Sequence, residues 1–188
     1  MTAMAKYRIG APGRAAAACL CPWIFPQAAV AETSVSFLVS ARIEAGCEVN
    51  GAVPAPNASV GQIGTLAFGS HSALATGPVT ATMVQSGGFH LACTPTAVPT
   101  MTLDGGLHGG SQGSALRNLE SPAGAAERIA YRLYRDAGFN QELLAGQAYA
   151  VPLDNPLAIT LPIHGRLTLA GNRRAAVYSD TVVVTLTW

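Results

Sequence analysis

The closing stretch, Asp180-Thr-Val-Val-Val-Thr-Leu-Thr-Trp188, places Val182, Val184, Leu186 and Trp188 on one face of an extended chain. Thr181, Thr185 and Thr187 fall on the other. Side chains alternate across a strand, so this spacing predicts a strand with one apolar face. Near the other end, Ser34-Val-Ser-Phe-Leu-Val-Ser-Ala-Arg-Ile43 has the same period, with Val35, Phe37, Val39, Ala41 and Ile43 sharing a face. Between them, short apolar runs recur between turn residues. Strands are expected in Gly64–Gly69, Pro99–Leu103, Ile129–Tyr134, Leu157–Ile163 and Gly165–Ala170. Val79–Val84 and Phe89–Cys93 read as a hairpin across Gln85-Ser-Gly-Gly88. Asn50–Gly61, with Pro54, Pro56 and Asn57, reads as loop. Ser114–Arg128 is the best place for a helical turn, although Pro122 and Gly124 interrupt it. Strands at this spacing, almost without amphipathic helix, predict an all-β chain folded as one antiparallel sandwich.

Residues 1–31 stand apart from that pattern. Lys6, Arg8 and Arg14 precede an apolar run, Ala15–Phe25, and Ala29-Val-Ala31 supplies small residues where a signal peptidase reads. This is the layout of a secretory signal, cleaved before Glu32. The run is too short for a stable membrane-spanning helix, and no later stretch is long and apolar enough to be one. Removal leaves 188 − 31 = 157 residues, 32–188, the size of one domain. These contain 8 Arg, no Lys and 10 acids, so the net charge is 8 − 10 = −2. Nucleic acid is a poor partner for such a chain, since phosphate binding needs a concentrated basic surface. The adjacent pair Arg173-Arg174 reads as a solvated turn.

Cysteine usage agrees with export. Cys19 and Cys21 leave with the leader, and Cys47 and Cys93 remain. An even pair in an exported chain reads as a disulfide, worth about 4 kcal/mol for a loop of this length. His90 near Cys93 is too little for zinc, which needs more ligands. The other histidines, His71, His108 and His164, have no metal spacing, and no cofactor is implied. Asp104 before two glycines reads as turn chemistry.

One catalytic pattern is present. Gly109-Gly-Ser-Gln-Gly113 fits G-x-S-x-G, and Asp136 or Asp154 and then His164 follow in hydrolase order. That elbow needs a strand entering Ser111 and a helix leaving it, and neither is visible in a Gly-rich loop. The match is cheap in such a sequence.

Several motifs line up in order. Phe37-Leu-Val-Ser-Ala-Arg-Ile43 precedes Cys47, Leu66-Ala-Phe-Gly69 and Leu91-Ala-Cys-Thr94. Then follow Met101-Thr-Leu-Asp-Gly-Gly106, Arg117-Asn-Leu119, Ile129-Ala-Tyr-Arg-Leu-Tyr-Arg-Asp136, Pro162-Ile-His-Gly165 and the strand from Tyr178 to Trp188. The set resembles the spore coat protein U domain family, which includes subunits of archaic chaperone–usher pili. Ala176 and Ala137-Gly-Phe-Asn140 depart from the family's usual glycine and Trp-Gly positions.

The resemblance implies an immunoglobulin-like sandwich lacking its last strand. A periplasmic chaperone, and then the N-terminal strand of a neighbouring pilus subunit, would complete it, with an outer-membrane usher directing assembly to the cell surface. Residues 32–43 would be the donor strand, presenting Val35, Phe37, Val39, Ala41 and Ile43. Val182, Val184, Leu186 and Trp188 would line the acceptor groove. The chain ends on that apolar strand, and an uncovered edge of this kind needs a partner. A monomeric secreted binding module of the same fold, with Ser34–Ile43 in its own groove, is the alternative.

Overall fold

The structure is a computed structural model that describes residues 33–109 and 112–188. The expected signal segment, 1–31, and Ser111 lie outside the described residues. Two units separate at Ala41. In the first, residues 33–41 form no strand and are exposed, with Val35 at 89% and Phe37 at 85%. The strand expected over Ser34–Ile43 is therefore not formed. An extended segment becomes a strand only when its N–H and C=O groups enter a ladder, and residues 33–46 are in none.

The second unit, from Arg42, is all-β among the described residues. Its eleven strands are β1 (Cys47–Val49), β2 (Gly64–Thr65), β3 (Thr76–Thr82), β4 (Val84–Gln85), β5 (Leu91–Cys93) and β6 (Thr100–Leu103). They continue with β7 (Arg117–Ser121), β8 (Gly124–Tyr134), β9 (Ala148–Ala150), β10 (His164–Ala170) and β11 (Val184–Thr187). A four-stranded sheet runs β3-β10-β8-β7 and a three-stranded one β11-β6-β9, with pairs β1-β5 and β2-β4 beside them. Every strand pairing is antiparallel. Met101 and Leu103 of β6, Tyr131 and Leu133 of β8, and Leu167 of β10 are buried in one core. This is an antiparallel β-sandwich.

The cysteine pair forms. Cys47 and Cys93 are directly opposite in β1 and β5 and are disulfide-bonded. That pairing overturns the expected hairpin, because β5 is fixed to β1 while β3 pairs with β10. The helical turn expected within Ser114–Arg128 is also absent. β7 and β8 form a hairpin there, with Gly124 at φ 87° and Glu120 opposite Arg128, whose Nε is 2.6 Å from Glu120 Oε2. Alternation of Arg117, Leu119 and Ser121 with polar neighbours suits a ladder better than a helix interrupted by Pro122.

Of the strand expected over Leu157–Ile163, Leu157 and Ala158 lie in a turn closed by Asn155, and Ile159–Ile163 enters no ladder. Ile159, Leu161 and Ile163 are buried in alternation. Gln85 substitutes for a strand partner: its Oε1 accepts from Leu161 N at 3.1 Å and its Nε2 donates to Ile159 O at 3.2 Å. Pro162 has no N–H to offer a ladder.

Gly165, in the middle of the four-stranded sheet, permits one close approach. A methyl group there would meet Leu66 Cδ2 at 2.8 Å and Phe68 Cζ at 2.9 Å. Both follow β2 and pack against the core. Gly165→Val is expected to cost about 1–3 kcal/mol through overpacking, seen as a lowered denaturation midpoint with an unchanged slope. An unchanged midpoint would show that Leu66 and Phe68 move aside freely.

Candidate binding groove

A groove of about 1230 Å³ opens into the core of the sandwich. One wall is the chain from Asp180 to Trp188, containing β11, and the other is Pro54–Leu66, which contains β2. Phe68, Met83, Leu119, Tyr131 and Ile163 form its floor. The floor of the groove is apolar because core positions reach it. Val182, Val184 and Leu186 point at the core yet are only half-buried, as are Ile63, Leu66, Phe68 and Met83. Trp188, just past β11, is 41% exposed.

The backbone of β11 explains why the groove is open. β6 takes one side of it, with Val184 opposite Leu103 and Leu186 opposite Met101. Val183 O accepts from Asp104 N at 3.0 Å, and Val183 N donates to Asp104 Oδ1 at 2.9 Å. Peptide groups alternate in direction along an antiparallel strand. Val183, Thr185 and Thr187 therefore bond toward β6, and the N–H and C=O groups of Val182, Val184 and Leu186 point into the groove. No strand among the described residues pairs with that edge.

Other edges are blunted. β3 carries Pro78, which has no donor, and β9 has three residues. β7 is bridged at Glu120 by Ser179, with backbone bonds of 3.0 and 3.1 Å. The β11 edge has none of these protections.

A polar cluster fixes the Asp180 end of the groove. Tyr131 Oη donates to Asp180 Oδ2 at 2.8 Å, and Asp180 Oδ1 accepts from Leu107 N and Thr181 N at 2.9 Å. Burial pushes the Tyr131 phenol far above its ordinary pKa, and the Asp180 carboxylate adds to the shift. Arg117 is 0% exposed. Its Nε and Nη2 donate to Asp104 O at 3.0 and 2.8 Å, and Nη1 donates to Leu143 O at 3.0 Å. Desolvation lowers its pKa, while Tyr131, Asp104 and Asp180 oppose the shift. Asp104 makes the turn expected of it, its Oδ1 accepting from Gly106 N at 2.9 Å. These groups hold the entry to β11 in place.

Of the residues singled out from sequence, Val182, Val184, Leu186 and Trp188 all lie in the groove wall. Arg117 and Tyr131 were missed as parts of one polar cluster, because their partners are distant in the chain. In the hydrolase pattern, the Asp136 carboxylate accepts N–H groups from Asn140 and Gln141, and His164 Nδ1 is 3.0 Å from Thr82 Oγ1.

The spore coat protein U domain family matches residues 33–185, nearly the whole described chain. The chain belongs to this family. The matched span includes residues 33–43, the wall Pro54–Leu66 and the β11 wall as far as Thr185. Among curated proteins, none matches. A solved structure, the CsuC–CsuE chaperone–tip adhesion subunit pre-assembly complex from archaic chaperone–usher Csu pili of Acinetobacter baumannii, contains a similar chain. It is 19% identical, with a TM-score of 0.42, and the match covers 78% of this chain. This chain spans 40% of that one. No helix among the described residues is long and apolar enough to cross a membrane.

Proposed function

We propose that this chain is a structural subunit of an extracellular pilus or surface coat, assembled by donor-strand complementation through a periplasmic chaperone and an outer-membrane usher. The observation that carries this is the β11 edge. Half-buried Val182, Val184 and Leu186 stand beside backbone groups that have no strand partner among the described residues. The sandwich is incomplete in this reading, and an added strand supplies both the missing hydrogen bonds and the missing side chains.

The added strand is residues 32–43 of a neighbouring subunit. Val35, Phe37, Val39, Ala41 and Ile43 recur at two-residue spacing, and all are exposed. Such side chains suit a groove that takes alternate residues. Residues 1–31 act as an export signal removed before Glu32, and they deliver the chain to the compartment where its disulfide forms. Assembly then places the subunit at the cell surface.

Material recovered after export tests this directly. Its intact mass is expected to begin at Glu32, and the chain is expected as a chaperone complex or a polymer. A stable monomer without chaperone would mean a self-contained secreted binding module instead.

A further inference from the structure

We propose that the outer face of the four-stranded sheet binds the carboxylate of an acidic saccharide, with Arg166 as its anchor. This face lies on the side of the sheet away from the core and does not involve the groove.

Arg166 of β10 is directly opposite Arg132 of β8 and Thr80 of β3. Like charges directly across a ladder are unfavourable. Arg132 is compensated, its Nη1 lying 2.7 Å from Glu142 Oε1. Among the described residues, Arg166 has no carboxylate within salt-bridge distance. Arg132 thus has an acid and Arg166 has none, and a second carboxylate would balance the site. A planar guanidinium suits that ligand, since its donors match both oxygens.

The neighbours of Arg166 are held in place. Its guanidinium carbon lies 5.9 Å from the centre of the Phe139 ring. Phe139 has φ 58°, a conformation that is costly for a bulky side chain. The Asp136 carboxylate maintains the turn by accepting Asn140 N and Gln141 N. The Phe139 ring meets Tyr134 and His164 edge-on, at 5.3 and 6.5 Å. His164 is in turn fixed by Thr82. A strained turn therefore places one aromatic ring beside an uncompensated cation on a hydroxyl-bearing face.

The class of ligand follows from what this face lacks. Its outward positions include Thr80, Thr82, His164, Arg166 and Thr168, and no exposed large aliphatic side chain is among them. Protein interfaces centre on buried apolar anchors. A sugar instead offers hydroxyls, one C–H face and, in a uronate, one carboxylate, which correspond to the threonines, the ring and Arg166.

The test uses the full exported chain and trigalacturonate as the probe, with binding followed by calorimetry. Trigalacturonate is expected to bind and its methyl ester is not. Arg166→Gln is expected to weaken binding at least tenfold. Phe139→Gly removes the ring and relieves the backbone, so it should weaken binding while the melting temperature stays level or rises. Four results would overturn the proposal: no binding of trigalacturonate, equal binding of the ester, unchanged affinity in Arg166→Gln, or tighter binding of a triglutamate peptide.

Discussion

Phe37→Asp is expected to yield a subunit that folds with its chaperone and fails to polymerise. Phe37 is 85% exposed, so the fold of its own subunit does not depend on burying that ring. In a neighbour's groove the same side chain would lie against the apolar floor, which includes Phe68 and Met83. Placing a carboxylate there without a partner costs several kcal/mol. At 1.4 kcal/mol per tenfold, that lowers strand affinity by about a hundredfold or more. Polymer content by sedimentation, beside recovery of the chaperone complex, separates the two effects. Loss of the chaperone complex itself would assign residues 33–43 to their own sandwich.

Removing the disulfide is the other large effect. Cys47 and Cys93 are 46 residues apart in sequence, and the chain-entropy estimate for such a loop is about 4 kcal/mol. The bond also holds β1 on β5. Cys47→Ala with Cys93→Ala avoids burying new hydroxyls. At roughly 2–4 °C per kcal/mol for a chain of this size, melting is expected to fall by about 8–16 °C. A fall of less than about 2 °C would show that packing between β1 and β5 suffices alone.

The fold class was legible because its signal is local. Two-residue alternation in Ile129–Tyr134 and Gly165–Ala170 identifies strands without knowledge of their partners. Pairing was not legible to the same degree, since it depends on distant residues. Nothing in Val79–Val84 shows that it will pair with His164–Ala170 rather than with the next run. Gln85 acting as a ladder partner for Ile159 and Leu161 has no sequence signature at all. Arg117 is a similar case. An arginine followed by Asn118 and Glu120 reads as surface, and only the carbonyls of Asp104 and Leu143 make its burial tolerable. Of the groove, one wall was legible as an apolar strand at the end of the chain. Most of the other wall, Pro54–Gln62, reads only as loop, because an irregular segment carries no periodicity.

The β11 edge can be tested by amide exchange. The N–H groups of Val182, Val184 and Leu186 point into the groove, whereas those of Val183, Thr185 and Thr187 face β6. A synthetic peptide of residues 32–43 is added to the subunit, prepared without its own residues 32–43 and freshly released from its chaperone, and exchange is followed residue by residue. An acceptor groove predicts that the peptide slows exchange at Val182, Val184 and Leu186 at least tenfold and leaves β3 unchanged. Unchanged exchange at those three amides, with the peptide in excess, would contradict it.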